Sequence, residues 1–321
     1  MKTGKFLLAM TFALGMTAHA QASDTYPSKP IRFVVPFGPG GGTDIVARLV
    51  APYLSERLGQ IVVVENRAGA GGAIGSNMVA KSAPDGYTLL FADSARTIGP
   101  YMQKDLPFDF AKDFSPIGLM ALTPLLLLAN PNAPVKSFDE LITYAKANPG
   151  KLTYGSSGNG TPQHFAVELL KAAADIDLTH VPYKGAAAVV NDAVGGQISL
   201  ASATYGPSAE FIKADRLRPL AVMEPKRLAA LPNVPTAAEK YPDVIMSIWF
   251  GIVVPAGVDP AIRKRLETAL AEVVANPEYT EKLRTAGFEK TTETSEQFRT
   301  RIDRELKVFG DVARKAGIKP E

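Results

Sequence analysis

Cysteine is absent from the 321-residue sequence, and histidine occurs only three times. Without thiols the chain has no disulfide, no thiolate nucleophile and no cysteine ligand for zinc. His19 lies near the start, so only His164 and His180 remain for the body of the chain. A histidine-based metal site is therefore nearly excluded, and we expect no metal ion and no cofactor.

Long apolar runs are missing as well. The first one, Phe6–Thr17, follows Lys2 and Lys5 and precedes Ala18-His19-Ala20. A positive start, a short apolar stretch and an A-x-A site are typical of a cleaved signal peptide, and a spanning helix needs about 20 apolar residues. We therefore assign residues 1–22 to a signal peptide and expect an exported, periplasmic protein.

No excess of charge distinguishes the chain either. The formal net charge is +3, and it falls to +1 when Lys2 and Lys5 leave with the signal peptide. Nucleic-acid and membrane-surface binding usually require a basic patch, so the balance argues against both kinds of partner.

What the sequence does contain is a regular alternation of β-type and helical segments. Nine short apolar runs read as strands: IRFVVPF, IVVVEN, YTLLFAD, LLLLAN, KLTYGS, LTHVPY, QISLAS, LRPLAVM and SIWFGIVV. The segments between them show helical periodicity. This pattern predicts an α/β protein with mostly parallel sheets, and the length suggests two domains. Leu119–Pro131 and Leu217–Met223 are interpreted as crossovers between them.

Two strand–glycine loop–helix units stand out, one in each half. VVPFGPGGGTDIVARL has an expected helix cap at Thr43–Asp44, and KLTYGSSGNGTPQHFAVELL has an expected N-cap at Thr161 followed by Pro162. Such loops often hold anions on free backbone N–H groups. The first loop lacks the third glycine of the dinucleotide fingerprint, and no P-loop motif occurs. A nucleotide is therefore rejected.

A catalytic oxyanion and a small carboxylate remain as candidate anions. YGSSGNG resembles a nucleophile elbow but places Asn159 where the second glycine belongs, so a hydrolase using Ser157 and His164 stays as an alternative. Three consecutive glycines, Gly40–Gly42, exceed what a turn needs and favour close approach of a ligand to the backbone. Helix N-termini from both halves then predict a site for a carboxylate.

Six segments in series resemble the signatures of the Bug family, the TctC-type periplasmic receptors of tripartite tricarboxylate transporters. They are VVPFGPGGGTDIVARL, VVVENRAGAGGAIGS, APDGYTLLF, GKLTYGSSGNGTPQH, HVPYKGAAAVVNDAVGGQI and LPNVPTAAE, and the match runs from about Tyr26 to the C-terminus. The resemblance implies a type II periplasmic-binding-protein fold, with two α/β domains around a ligand cleft. It also implies capture of a small carboxylated solute by hinge closure and delivery to membrane permease subunits, without turnover. We expect a discontinuous first domain, residues 23–121 plus 225–321, and a second domain, residues 122–224.

The resemblance places the ligand between the loop Phe37–Asp44 and the loop Ser156–Thr161. Two departures from the family pattern bear on the ligand: Asp93-Ser94-Ala95-Arg96-Thr97 replaces a neutral loop, and Ala203 and Thr204 replace an Asp-Asn pair. The missing Asp argues against an amino-acid ligand. Arg96 either clamps a second carboxylate or is a surface residue paired with Asp93 or Asp105.

We therefore expect a non-amino mono- or dicarboxylate, or an aromatic acid stacked near Phe37, bound by a monomer. A signalling partner in place of the permease stays open as an alternative. The candidate ligand-binding residues are Phe37, Gly40, Gly41, Gly42, Thr43, Asp44, Ser94, Ala95, Arg96, Ser156, Ser157, Gly158, Asn159, Thr161, His164, Tyr183, Lys184, Ala203 and Thr204.

Overall fold

A computed structural model describes residues 26–320, so the predicted signal peptide lies outside the described residues. The strands are β1 Ile31–Val35, β2 Val62–Asn66, β3 Thr88–Asp93, β4 Phe114–Ala129, β5 Thr153–Ser156, β6 Thr179–Pro182, β7 Leu200–Thr204, β8 Arg218–Val222, β9 Ser247–Pro255 and β10 Glu289–Lys290. The α-helices are α1 Gly42–Leu58, α2 Ala73–Ala80, α3 Ala95–Ile98, α4 Phe138–Ala147, α5 Pro162–Ala174, α6 Ala186–Val194, α7 Tyr205–Lys213, α8 Pro260–Ala275, α9 Pro277–Thr285 and α10 Ser295–Lys315. Short 3₁₀ turns span Ala70–Gly72, Gly99–Tyr101 and Ala237–Glu239.

The strands form one curled sheet in the order β2-β1-β3-β9-β4-β7-β5-β6, with β10 and β8 also paired to β4. All nine strands predicted from the apolar runs are present. Short β10 and the helix α3 were not predicted, and β4 is longer than expected because it begins at Phe114. The predicted α/β class is confirmed.

Strand β4 links the two halves of the sheet. Its first half pairs with β9, and its second half pairs with β7 and β8. Strands β1, β2 and β3 are parallel, and β3 runs the same way as β4 because both are antiparallel to β9. Strands β5, β6 and β7 are also parallel, but β7 is antiparallel to β4. The carboxyl ends of the two parallel sets therefore point toward each other.

The residue pairings along β4 give the distance between those strand ends. Phe250 of β9 pairs with both Asp93, the last residue of β3, and Ala121 of β4. Four positions further along β4, Leu125 pairs with Thr204, the last residue of β7. At ~3.3 Å per residue the facing strand ends lie about 13 Å apart along the sheet. A gap of this width leaves room for a small molecule between loops from both halves.

Each half has its own buried apolar side chains, and α10 contacts both. Phe298 and Ile302 of α10 pack with Trp249 in the first half. Further along the helix, Phe309 and Val312 pack with Phe165 of α5 in the second half. Between them Glu305 accepts hydrogen bonds from Trp249 Nε1 at 2.9 and 3.1 Å and from Thr97 Oγ1 at 2.8 Å. Helix α10 thus lies across both halves beside the crossing strands.

The boundaries of the two domains stay a prediction. Ala237, Val244 and Met246 belong to the segment assigned to the first domain, yet they pack against the apolar cluster that contains Leu125 and Phe165. Part of the segment after residue 224 therefore packs with the second half of the protein.

Glu224 lies buried where the chain crosses back between the halves. Ser247 Oγ, at the start of β9, donates to Glu224 Oε2 at 2.6 Å. Among residues 26–320 the other carboxyl oxygen, Oε1, has no hydrogen-bond partner. Burial raises the pKa of Glu224 to about 8, against smaller lowering effects from Ser247 and Arg301. The crossing is therefore built around a carboxyl group that folding keeps protonated near neutral pH.

Glu224→Gln tests that protonation. Because the folded-state pKa is raised, the unfolded chain ionises first and the free energy of unfolding falls as pH rises from about 4.5 to about 8. The glutamine variant loses this dependence. We expect it to be more stable than the parent by roughly 4 kcal/mol at pH 8.5 and nearly equal at pH 4.5. Urea unfolding at both pH values measures the difference, with exposed Glu56→Gln as control. Equal differences at the two pH values would contradict the assignment.

Candidate functional site

The first loop of the site joins β1 to α1. Helix α1 begins at Gly42 with Gly41 as its N-cap and has no side-chain cap, so the predicted cap at Thr43–Asp44 is wrong. Gly40 has φ +85°, a conformation that glycine adopts without strain. Without a side-chain acceptor, the first N–H groups of α1 point into the space beyond the helix.

Asp44 stabilises this loop with its carboxylate. Its oxygens accept hydrogen bonds from Gly40 N, Arg48 Nε and Asn66 Nδ2, all at 2.9–3.0 Å. Asn66 Nδ2 also donates to Phe37 O at 3.0 Å. Burial alone would raise the pKa of Asp44, but these bonds outweigh it and lower the pKa to about 2. The side chain thus holds the loop in place. Its negative charge is balanced by Arg48 and is not directed at an anionic ligand.

The second loop joins β5 to α5. As predicted, Thr161 is the N-cap, with its hydroxyl accepting from His164 N at 3.3 Å, and Pro162 is the first helical residue. Gly158 and Gly160 have φ of +132° and +71°. A Cβ at Gly160 would lie 2.6 Å from Met102 Cε, so the loop touches the first half of the protein at this glycine.

The histidines pair differently from the hydrolase alternative. Ser157 Oγ is buried without a partner in the described part of the chain, and His164 Nδ1 accepts from Gly160 N at 3.2 Å. It is Ser156 Oγ that lies 2.7 Å from His180 Nε2. The two imidazoles stack with their centroids 4.1 Å apart. The predicted Ser157–His164 pair is therefore wrong, and the serine–histidine contact belongs to the packing beneath the loop.

Both imidazoles are held in the neutral form. Burial lowers the pKa of His164, and burial together with the nearby His164 ring lowers the pKa of His180 to about 4. His180 also stacks on Tyr154, whose hydroxyl donates to Glu168 at 2.6 Å. The stacked, neutral imidazoles thus support the loop without adding charge. The positive potential at the loop then comes from its free backbone N–H groups.

Arg96 is a buried residue with several partners. Only 5% of it is exposed. Its guanidinium donates to Gly71 O and to Ser76 Oγ, the latter at 3.1 Å, and its Nε lies 3.5 Å from Asp93 Oδ1. It lies 5.5 Å from the centre of the Phe37 ring. Burial raises the pKa of Asp93, and the charge of Arg96 opposes that rise. The pairing with Asp93 is the predicted one, but the surface location is wrong.

A pocket of about 260 Å³ lies between the halves and contains five of the predicted residues. Those five are Phe37, Ala95, Arg96, Asn159 and Thr161. The other lining residues are Gly71, Ile98, Gly99, Met102, Gln103, Leu106, Phe108, Gly160 and Pro162. A larger cavity, about 730 Å³, lies between α8 and the segment before α10 and contains none of the predicted residues.

The other fourteen candidates do not line this pocket, and the structure gives four of them surroundings not yet described. Ala203 is buried in the apolar cluster of the second half, because its side chain faces the core side of β7, so it is not a selectivity position. Tyr183 donates its hydroxyl to Asp192 at 2.8 Å, and burial raises its pKa to about 12. Lys184 is exposed, and Thr204 is the N-cap of α7 without a side-chain cap bond.

Sequence reasoning missed the segment from Ile98 to Phe108. Its signal is weak: Ile98 and Met102 are four residues apart, as on one helix face, but the helix is only one turn long. Leu106 and Phe108 follow in an irregular stretch with no periodicity. His180 was also missed as the partner of Ser156, since the two are brought together only by the pairing of β5 with β6.

These features define a two-domain α/β binding protein of the type II periplasmic class, with its cleft at the facing strand ends. The family model described as "Tripartite tricarboxylate transporter family receptor", TctC, matches residues 46–318. The chain belongs to this family.

Individual relatives agree. The protein BugT of Bordetella pertussis is 36% identical over 93% of this chain and 92% of that one. The structure of Rpa4515 from R. palustris with adipate is 34% identical, with a TM-score of 0.73 over 92% of this chain and 100% of that one. An unliganded TctC solute-binding protein from Polaromonas is 28% identical, with a TM-score of 0.83 over 91% of this chain and 100% of that one.

The family and its solved members are binding proteins and not enzymes, which removes the hydrolase alternative. Members of the family are periplasmic. Within residues 26–320, no helix has the length and apolar character needed to cross a bilayer. The same residues contain no group of three or more His, Asp or Glu side chains that could hold a metal ion.

Asp44→Asn tests the role of the carboxylate in holding the first loop. The variant keeps the size of the side chain but loses its charge toward Arg48 and an acceptor toward Gly40 N. We expect the free energy of unfolding to fall by about 1–2 kcal/mol at pH 7. Because the folded-state pKa is lowered, this contribution is present above the unfolded value of 3.8 and is lost as pH falls toward 2. Chemical unfolding at pH 7 and pH 3 measures it; an undiminished loss at low pH would refute the ionic role.

Proposed function

We propose that this protein is a periplasmic receptor that captures a small carboxylated solute between its two halves and delivers it to a membrane permease. The observation that carries the proposal is the set of helix N-termini at the facing strand ends. Helices α1, α6 and α7 begin there without side-chain caps, and α5 begins after a glycine loop. Backbone N–H groups at such ends favour an anion without any charged side chain.

The ligand-contacting groups are proposed to come from both loops. Phe37 and the N–H groups of Gly41, Gly42 and Thr43 serve the first half. Ser157, Gly158, Asn159 and Thr161 serve the second half. Asp44, Ser156 and His164 support these loops from below, because their polar atoms already have partners within the protein. A carboxylate between the loops receives donors that neither half supplies alone.

The ligand of a relative supports a carboxylate as the solute. Rpa4515, 34% identical, was solved with adipate. In the present chain the acidic groups closest to the loops, Asp44 and Asp93, are each paired with an arginine. The cleft therefore presents no uncompensated negative charge from these groups to repel a carboxylate.

Hinge closure is the proposed mechanism of capture. Strand β4 is continuous through both halves, so the halves can rotate about it while each core stays packed. Closure brings the second loop onto an anion already held by the first, and those added contacts favour the closed state.

Gly42→Pro tests the backbone N–H donors directly. Residue 42 is the first of α1, where proline is well tolerated, and Gly41 before it has φ −80° and ψ 168°, the extended conformation that proline requires of its predecessor. The substitution removes one N–H and leaves the fold intact. We expect the Kd of the tightest ligand in a panel of mono-, di- and tricarboxylates to rise ten- to hundredfold, roughly 1.5–3 kcal/mol. Isothermal titration calorimetry on the mature chain measures it.

Gly42→Ala is the matched control, because it adds a Cβ at the same place but keeps the N–H. A new Cβ lies 3.4 Å from Phe288 Cζ, an ordinary contact, so we expect near-parental affinity. Equal losses in both variants would show that bulk, not the donor, matters. A folded parent protein that binds no carboxylate would refute the proposed function itself.

A further inference from the structure

The pocket beside the two loops is apolar. Six of its lining side chains are Phe37, Ile98, Met102, Leu106, Phe108 and Pro162, contributed by both halves. Three polar side chains in the lining are uncharged: Gln103, Asn159 and Thr161. Arg96 is the one charged residue among the described residues that line it.

Arg96 presents little of its guanidinium to the pocket, because only 5% of the residue is exposed. One terminal nitrogen donates to Gly71 O and the other to Ser76 Oγ. Nε lies 3.5 Å from Asp93 Oδ1 as an ion pair and has no hydrogen-bond partner among the described residues. The guanidinium also packs against Gly72, where a Cβ would lie 2.7 Å from Nη2. Arg96 therefore supports the wall of the pocket.

A second carboxylate placed in this pocket would lose its water, and the one cation in the described lining, Arg96, is already paired with Asp93. The cost of burying an unpaired carboxylate exceeds anything its contacts with this lining return, whereas an apolar group there gains burial. The volume of about 260 Å³ corresponds to roughly nine water molecules at ~30 Å³ each. That is enough for a short alkyl chain or a phenyl ring.

We infer that the solute is a monocarboxylate with an apolar body, a short aliphatic or phenyl acid. The inference rests on the proposed function: the carboxylate lies at the helix N-termini, and the body lies in the pocket of Phe37, Ile98, Met102, Leu106 and Phe108. Met102, an unbranched side chain against Gly160, adapts to the shape of the body. This orientation distinguishes the chain from its relative that was solved with adipate, an acid with a carboxylate at each end.

The test compares hexanoate with adipate, which share a six-carbon chain and differ by one terminal carboxylate. Calorimetry on the mature chain at pH 7.5 gives both Kd values. We expect hexanoate to bind at least tenfold more tightly than adipate, and 3-phenylpropionate to bind at least as well as hexanoate.

Variants then locate the body of the ligand. Leu106→Asn and Met102→Gln place polar groups on partly exposed positions in the pocket, so the fold tolerates them. We expect each to weaken hexanoate about tenfold while leaving adipate unchanged or slightly tighter. Leu231→Asn is the control, since Leu231 is also partly buried but packs in the second half away from the pocket; its affinity for hexanoate stays at the parental value.

The possible results distinguish failure of the monocarboxylate inference from failure of the proposed function. Tighter binding of adipate than of hexanoate, or a Leu106→Asn variant that binds hexanoate as the parent does, overturns the monocarboxylate inference and leaves a carboxylate receptor. If neither acid binds, and citrate and succinate do not bind to the folded protein either, both the inference and the proposed function fail.

Discussion

Strand β4 is continuous from one half of the sheet to the other, and this continuity determines how the loops of the two halves face each other. One strand runs through both halves of the sheet, parallel to β3 and antiparallel to β7. Strand direction therefore forces the loops after β1 and β3 to face the loops after β5, β6 and β7. Helices start at those loops, so their unpaired N–H groups meet across a gap of about 13 Å. The position of the proposed site follows from topology before any particular side chain is considered.

The side chains around the gap leave little net charge there. Acidic groups close to the loops are paired: Asp44 with Arg48, and Asp93 with Arg96. The imidazoles under the second loop are kept neutral by burial. Each loop is thus held rigid by buried polar contacts that leave little net charge, so the oriented amides dominate the local potential. Helix α10 packs on both halves, and Glu224 lies buried at the crossing between them.

Local patterns predicted the strands well because each is a short apolar run bounded by turn residues. The N-cap at Thr161 was equally readable, since Thr-Pro at a helix start is a local signal. Contacts that depend on pairing between distant segments could not be predicted from the sequence. Ser156 meets His180 only because β5 pairs with β6, and Arg96 is buried only because the turn at Ala70–Gly72 folds over it. Ala203 was placed in the cleft, but strand alternation turns it into the core.

Small-angle X-ray scattering on the mature chain, with and without a saturating carboxylate, tests whether the two halves close on the ligand. Capture between facing loops requires the halves to approach each other, so the radius of gyration must fall when calorimetry shows full occupancy. An unchanged radius of gyration at full occupancy would mean that the ligand binds to one half alone, and the facing strand ends would then not form the site.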